Sequence, residues 1–253
     1  MLFTLRALRA AGAEFFFDLP RMVLLNLFWF VTALPAIFLA FGVAQLATTL
    51  TSWRDLIVNI WLVPASAAAL ALAGPGTAAI YHVTNRLANG NLMEVSRFWS
   101  GFRKFFWRGW GLALADAGSL ALLAVNVAFY WSLEGIGAKL VSLVFAYLLL
   151  MWFAIQGYLF SLLVELDQSI RLAVRNALFL AIDNLGVTIG LTIVNVLLFL
   201  VSVPPWAAAL ALPFFSMTLA SNLHNKVIVD AVSRYRAQGR VFADADKPVT
   251  DQE

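Results

Sequence analysis

Few side chains are available for chemistry in this chain of 253 residues, because it has no cysteine and only two histidines. Disulfides, thiol nucleophiles, cysteine zinc sites and iron–sulfur clusters are removed together. What remains is Asp116, a formal charge deep inside a long apolar run, and His82, Glu165 and His224, each near the end of another such run. An acid at that depth costs about 2.5–3.5 kcal/mol if left alone, so it must pair, stay protonated or serve a proton or cation pathway. By topology its nearest candidate partners are Arg21 and His82. His82, Glu165 and His224 are residue types that bind divalent metals. They stand 83 and 59 residues apart with no local ligand spacing, however, so ordinary polar roles outweigh a metal site. There is no HExxH, no G-x-S-x-G and no phosphate-binding loop, which argues for a non-enzymatic protein without cofactor or metal. Asn126, Gln156 and Asn195 are mid-run amides whose expected role is hydrogen bonding between helices.

The elements that position these residues follow from composition. Hydrophobic residues make up 62% of the chain and charged residues 12%, against about 45–50% and about 25% in soluble domains. The expected solvent is therefore a lipid bilayer, and the net charge of +3 gives no ground for a nucleic-acid partner. A hydrocarbon core about 30 Å thick takes roughly 20 helical residues to cross. Uncharged or nearly uncharged runs at 22–46, 56–81, 109–133 and 140–164 meet that length. Residues 184–225 contain no Asp, Glu, Lys or Arg and are too long for one crossing, so they must double back. The turn is expected at Ser202-Val203-Pro204-Pro205, where two prolines remove backbone donors. The fold class is thus all-α: a polytopic bundle of six transmembrane helices.

Basic residues favour the cytoplasmic side of a membrane protein. With the N-terminus inside, fifteen basic residues fall on that side, leaving Arg54 and Lys139 outside. Trp53, Trp131 and Trp206 then lie at the outer interface and Trp99, Trp107 and Trp110 at the inner one, where amphipathic rings prefer to sit. Glu14 and Asp18 between the early arginines and the first run argue against a cleavable leader. The expected organisation is a cytoplasmic segment over 1–21, a membrane domain over 22–239 and a disordered cytoplasmic tail over 240–253.

Three cytoplasmic stretches have helical amphipathicity. Near 92–107, Val95, Phe98, Trp99, Phe102, Phe105 and Phe106 recur at three- and four-residue spacing, with Arg97, Arg103, Lys104 and Arg108 elsewhere. Asn91 and Glu94 resemble a capping box that would start this helix. Aromatics opposite cations suit an interfacial helix in anionic lipid, and Phe98, Trp99, Phe102, Arg103 and Lys104 are the candidate docking residues for lipid or a partner. A second stretch, 167–183, carries a stripe of Ile170, Ala173, Val174, Ala177, Leu178 and Ala181. A third repeats Val227, Ile228, Ala231, Val232 and Tyr235 before Gly239, a residue suited to a helix end. Gly186 and Gly190 form a GxxxG that permits close helix contact within one chain as readily as between two, which leaves the oligomeric state open.

Several longer words resemble a known family. Asn26-Leu27-Phe28-Trp29-Phe30-Val31-Thr32-Ala33-Leu34-Pro35, Gly74-Pro75-Gly76-Thr77-Ala78-Ala79-Ile80-Tyr81, Arg86-Leu87-Ala88-Asn89-Gly90 and Phe98-Trp99-Ser100-Gly101-Phe102-Arg103-Lys104-Phe105 occur in the order found in the YesL-like family of bacterial polytopic membrane proteins, a domain of unknown function. Leu172-Ala173-Val174-Arg175-Asn176-Ala177-Leu178 with Asp183-Asn184 is similar to that family's second cytoplasmic segment. One departure is residues 36–73, which separate two elements that usually lie close together and supply most of two crossings. The resemblance implies an integral protein of the bacterial plasma membrane, associated with carbohydrate uptake and with no established reaction. Its leading functional expectation is an accessory or regulatory partner of transporter subunits. The alternative is a small-solute or ion-coupled transporter that uses Asp116 and the helix break at Gly74, Pro75 and Gly76.

Overall fold

Backbone groups shielded from water must find partners within the chain, and the computed structural model meets that demand with helices. It describes residues 2–48, 62–201 and 214–239, among which there is no strand. The helices are α1 (Leu2–Phe17), α2 (Leu19–Thr48), α3 (Leu62–Ala71), α4 (Gly74–Ala88), α5 (Arg97–Ser132), α6 (Ile136–Ala154), α7 (Gln156–Glu165), α8 (Ile170–Asp183), α9 (Leu185–Val201) and α10 (Ser216–Ala237). Three of them are long and apolar enough to cross a membrane: α2 over Leu19–Leu39, α5 and α6. The pair α8 and α9 adds a fourth if it is counted as one span despite a bend of 108°. The most apolar windows of α5 and α6 are each only 6% buried inside the protein. Leu143, Val144, Tyr147 and Leu150 all point outward. So large an outward apolar surface is what a bilayer would cover.

The expected runs break where the backbone chemistry changes. The 56–81 run is interrupted at Leu72 and Ala73, whose N–H groups donate only three residues back, to Ala69 and Leu70. Pro75 then sits in the first turn of α4, where a missing N–H costs nothing. The 140–164 run breaks at Ile155, dividing α6 from α7. The turn expected at 202–205, Trp53, Trp206 and the tail over 240–253 lie outside the described residues.

The inner helix expected near 92–107 is not a separate element. α5 runs unbroken for 36 residues from Arg97, about 54 Å at 1.5 Å per residue. The capping box is not formed either: Asn91 donates to the Arg86 carbonyl at 3.2 Å and Glu94 pairs with Arg97 at 2.9 Å. The second stretch does form α8, with Ala173, Ala177, Leu180 and Ala181 buried. The third is the second half of α10, where Val227, Ile228, Ala231 and Val232 are buried. Gly239 follows it with a φ of +66°, a left-handed conformation that glycine adopts freely.

The N-terminal segment is helical and tied to the bundle. Glu14 on α1 accepts from Lys226 at 2.6 Å and from Asn222 at 3.2 Å, both on α10. The start of α10 is capped from a distant element: Asn26 Oδ1 on α2 accepts from the backbone N–H groups of Met217 at 3.0 Å and Thr218 at 2.9 Å. The Thr218 hydroxyl donates to the same oxygen at 3.1 Å. Asn26 is fully buried, so removing that oxygen strands donors that water cannot reach. Asn26→Ala is expected to cost about 3 kcal/mol in unfolding free energy, while Asn26→Asp, which keeps the acceptor, should recover much of it. Thermal unfolding of the detergent-solubilised protein checks both.

Candidate functional site

Asp116 lies on α5 and is half-buried. Its Oδ1 accepts hydrogen bonds from the Trp152 indole at 2.9 Å and the Gln156 amide at 2.6 Å. These are its partners in place of the expected Arg21, which pairs with Asp18, and His82, which packs elsewhere. The break at Ile155 explains the geometry, because it separates the last turn of α6, bearing Trp152, from the first residue of α7, Gln156. Asp116 opens on a cavity of about 490 Å³ whose walls come from α3, α4, α5 and α7. Ala67 and Leu70, then Ala113, Ala117, Leu120, Ala121 and Ala124, make the walls apolar; Gly74, Thr77 and Phe160 complete them. Asp116 is the one ionisable group among the described lining residues.

The candidate break at Gly74, Pro75 and Gly76 borders this cavity and is tightly packed. A Cβ on Gly74 would collide with the Gly109 carbonyl of α5, and one on Gly76 would collide with the Thr32 hydroxyl of α2. The absence of side chains therefore lets α4 lie directly against two neighbours. Thr77 returns its hydroxyl to the Ala73 carbonyl at 2.9 Å, alongside its own backbone N–H on the same oxygen, and accepts the Trp29 indole N–H at 3.0 Å. Two of the sequence words thus meet here. Phe28 also touches Phe98 and Trp99, with ring centroids 5.7 and 5.8 Å apart, which brings in a third.

The remaining candidates occupy three separate settings. His224 accepts from the Tyr81 hydroxyl at Nδ1 (2.6 Å) and donates from Nε2 to Asn195 Oδ1 (2.8 Å), a tautomer assigned from the oxygen acceptor at Asn195. Beside it, Asn225 donates to the Tyr81 carbonyl at 2.9 Å and to the Thr84 hydroxyl at 2.8 Å. Glu165 Oε2 accepts from Asn85 at 2.8 Å and Asn89 at 3.1 Å. His82 lies on Gly101, where a Cβ would strike its ring, and next to Phe105. Among the described residues no group of three or more His, Asp or Glu side chains is placed to hold a metal.

Of the mid-run amides, Gln156 and Asn195 do bond between helices, whereas Asn126 bonds the Leu122 carbonyl of its own helix. Trp152 carries no sequence signal that separates it from other aromatics in apolar runs, and Thr77 and Tyr81 stand out in the sequence only as members of the word over residues 74–81. The docking set divides: Phe98 is fully buried, Lys104 pairs with Asp167 at 2.8 Å, Phe102 is half-buried, and Trp99 and Arg103 are exposed.

His82 lies past the end of the second apolar run. Burial, with the Lys104, Arg86 and Arg97 cations alongside, pushes its imidazole down from 6.5 to about 4. Between those values the unfolded chain binds the proton and the folded chain does not, so stability is lost as pH falls through this window. His82→Gln is expected to flatten the decline in unfolding midpoint between about pH 6.5 and 4; an unchanged slope would show that other groups set it. Against known proteins, the chain matches no family model, no curated protein and no solved structure.

Proposed function

We propose that the protein is a polytopic bacterial plasma-membrane protein, N-terminus inside, that moves a small, largely apolar solute coupled to protons through the cavity between Gly74 and Asp116. The observation that carries this reading is a cavity of about 490 Å³ with apolar walls and one ionisable group, positioned between two helix breaks. Broken helices expose backbone groups where a pathway needs them. An intramembrane acid paired with neutral donors alone can take up and release a proton without losing a salt bridge. Trp152 and Gln156 orient Asp116, and the Trp29 bond to Thr77 fixes one wall.

The test uses protons as the probe. In liposomes holding the purified chain and a pH-sensitive dye, with a panel of small, largely apolar solutes added on one side, the wild type should dissipate an imposed pH gradient when a transported solute is present and not without it. Asp116→Asn keeps an oxygen acceptor for Trp152 and Gln156 but cannot ionise, and is expected to slow that flux by about tenfold or more. Equal rates in the two proteins would remove Asp116 from the mechanism.

A second reading makes the protein a non-enzymatic accessory partner of carbohydrate-transporter subunits, as the YesL-like resemblance implies. Its support is the exposed pair of Trp99 and Arg103 at the start of α5. Stoichiometric recovery with transporter subunits from native membrane in mild detergent would favour it; recovery alone would favour autonomous transport.

A further inference from the structure

Asp116 uses only half of its carboxylate. Oδ1 takes the hydrogen bonds of both Trp152 and Gln156, while Oδ2 has no hydrogen-bond partner among the described residues and stays accessible. No ion pair among the described residues includes Asp116. The nearest formal charge on α5 is Arg108, eight residues earlier and about 12 Å along the axis, and it is taken by Asp167 at 2.8 Å. An ionised carboxylate set in an apolar wall without a counter-ion is costly. Two things relieve that cost, a proton on the carboxyl or a positive charge brought into the cavity, and a single carboxylate needs only one of them at a time.

The walls distinguish among cations. A metal ion stripped of water needs about six or more oxygen ligands. Besides Asp116, the only side-chain oxygen among the described lining residues is the Thr77 hydroxyl, which already donates to Ala73 and accepts from Trp29. An organic cation needs no such shell: its charge meets the carboxylate and its hydrocarbon meets Leu70, Ala117 and Leu120. The Phe160 ring adds an aromatic face to the same wall, and such faces attract cations. The volume of about 490 Å³ falls within the range of about 300–1,000 Å³ typical of small-molecule sites. We propose that the cavity takes a lipophilic organic monocation in exchange for the Asp116 proton, an inference that rests on the transport reading above and names its substrate class. As the cation enters, the Asp116 carboxylic acid gives its proton to water; as the cation leaves, the carboxylate takes one back. One positive charge replaces another, so the carboxylate is never left bare, and this exclusion ties movement of the solute to movement of protons.

Calorimetric binding to the full chain in neutral detergent tests the exchange, with released protons followed in weak buffer. The probes are benzyltrimethylammonium, tetraphenylphosphonium and neopentylbenzene, the last being the uncharged isostere of the first. Both cations should bind and release protons, approaching one per cation, and their affinity should fall by up to about tenfold for each unit that pH is lowered. Neopentylbenzene should bind without releasing any. Asp116→Asn should weaken both cations by about tenfold or more and leave neopentylbenzene binding as it was, which also shows that the cavity has folded. Should Asp116→Asn fail to fold, proton release and pH dependence in the wild type decide the matter alone. Cation binding without proton release, without pH dependence, or undiminished in Asp116→Asn overturns the exchange, as does failure of both cations to bind. In those cases the transport reading still stands if an uncharged solute moves protons across the liposomes, and falls as well if no solute does.

Discussion

Enclosure of one short polar helix organises the molecule. Eleven of the fifteen residues of α4 are buried, and its buried polar groups cannot turn to water. Each is met by a different neighbour. Trp29 on α2 reaches Thr77; His224 and Asn225 on α10 reach Tyr81 and Thr84; Glu165 at the end of α7 reaches Asn85. In a low-dielectric interior an unmade bond of this kind costs more than it would at a wet surface, so α2, α7 and α10 are held in register around α4 by satisfying it. Helix contact in lipid lacks a hydrophobic drive between apolar surfaces and depends on such bonds and on close packing.

Close packing supplies the other half. Gly74 and Gly109 bring α4 and α5 together, and Gly76 brings α4 onto α2. The same small residues that allow contact at one level leave space at the next: beyond Gly109, α5 turns Ala113, Ala117, Ala121 and Ala124 toward α3 and α4, and the volume not filled there is the cavity. Asp116 stands on that wall with its carboxylate held by the residues on either side of the Ile155 break. The cavity, the acid and the two breaks adjoin one another: Gly74 lines the cavity just after the first break, and Trp152 and Gln156 reach Asp116 from either side of the second.

The aromatic start of α5 has a double role. Phe98 and Phe105 belong to the core, packed against α2 and His82, while Trp99 and Trp107 remain outside. A helix that continues straight into α5 stands along it rather than lying across its end, so one side of the aromatic stripe is consumed internally. Of the cations between these rings, Lys104 and Arg108 meet Asp167, while Arg103 stays exposed.

Composition and charge spacing determined the all-helical class and the apolar helices, because burying backbone in a chain with 12% charged residues leaves few alternatives to helix. Periodicity located the buried stripes of α8 and α10, since a 3.6-residue repeat reports which face is covered. It could not report that residues 97–132 form one rod, because amphipathic and uniformly apolar stretches join without any residue that stops a helix. Nor did the 140–164 run announce its break at Ile155, where neither proline nor glycine stands. Asp116 was legible as costly, but its partners were not: Trp152 and Gln156 lie 36 and 40 residues away, and only packing brings them together. His82, Glu165 and His224 looked alike along the chain as polar residues at the ends of apolar runs. The tertiary structure separated them, because the direction each side chain takes from its helix is fixed by which neighbour lies against that face.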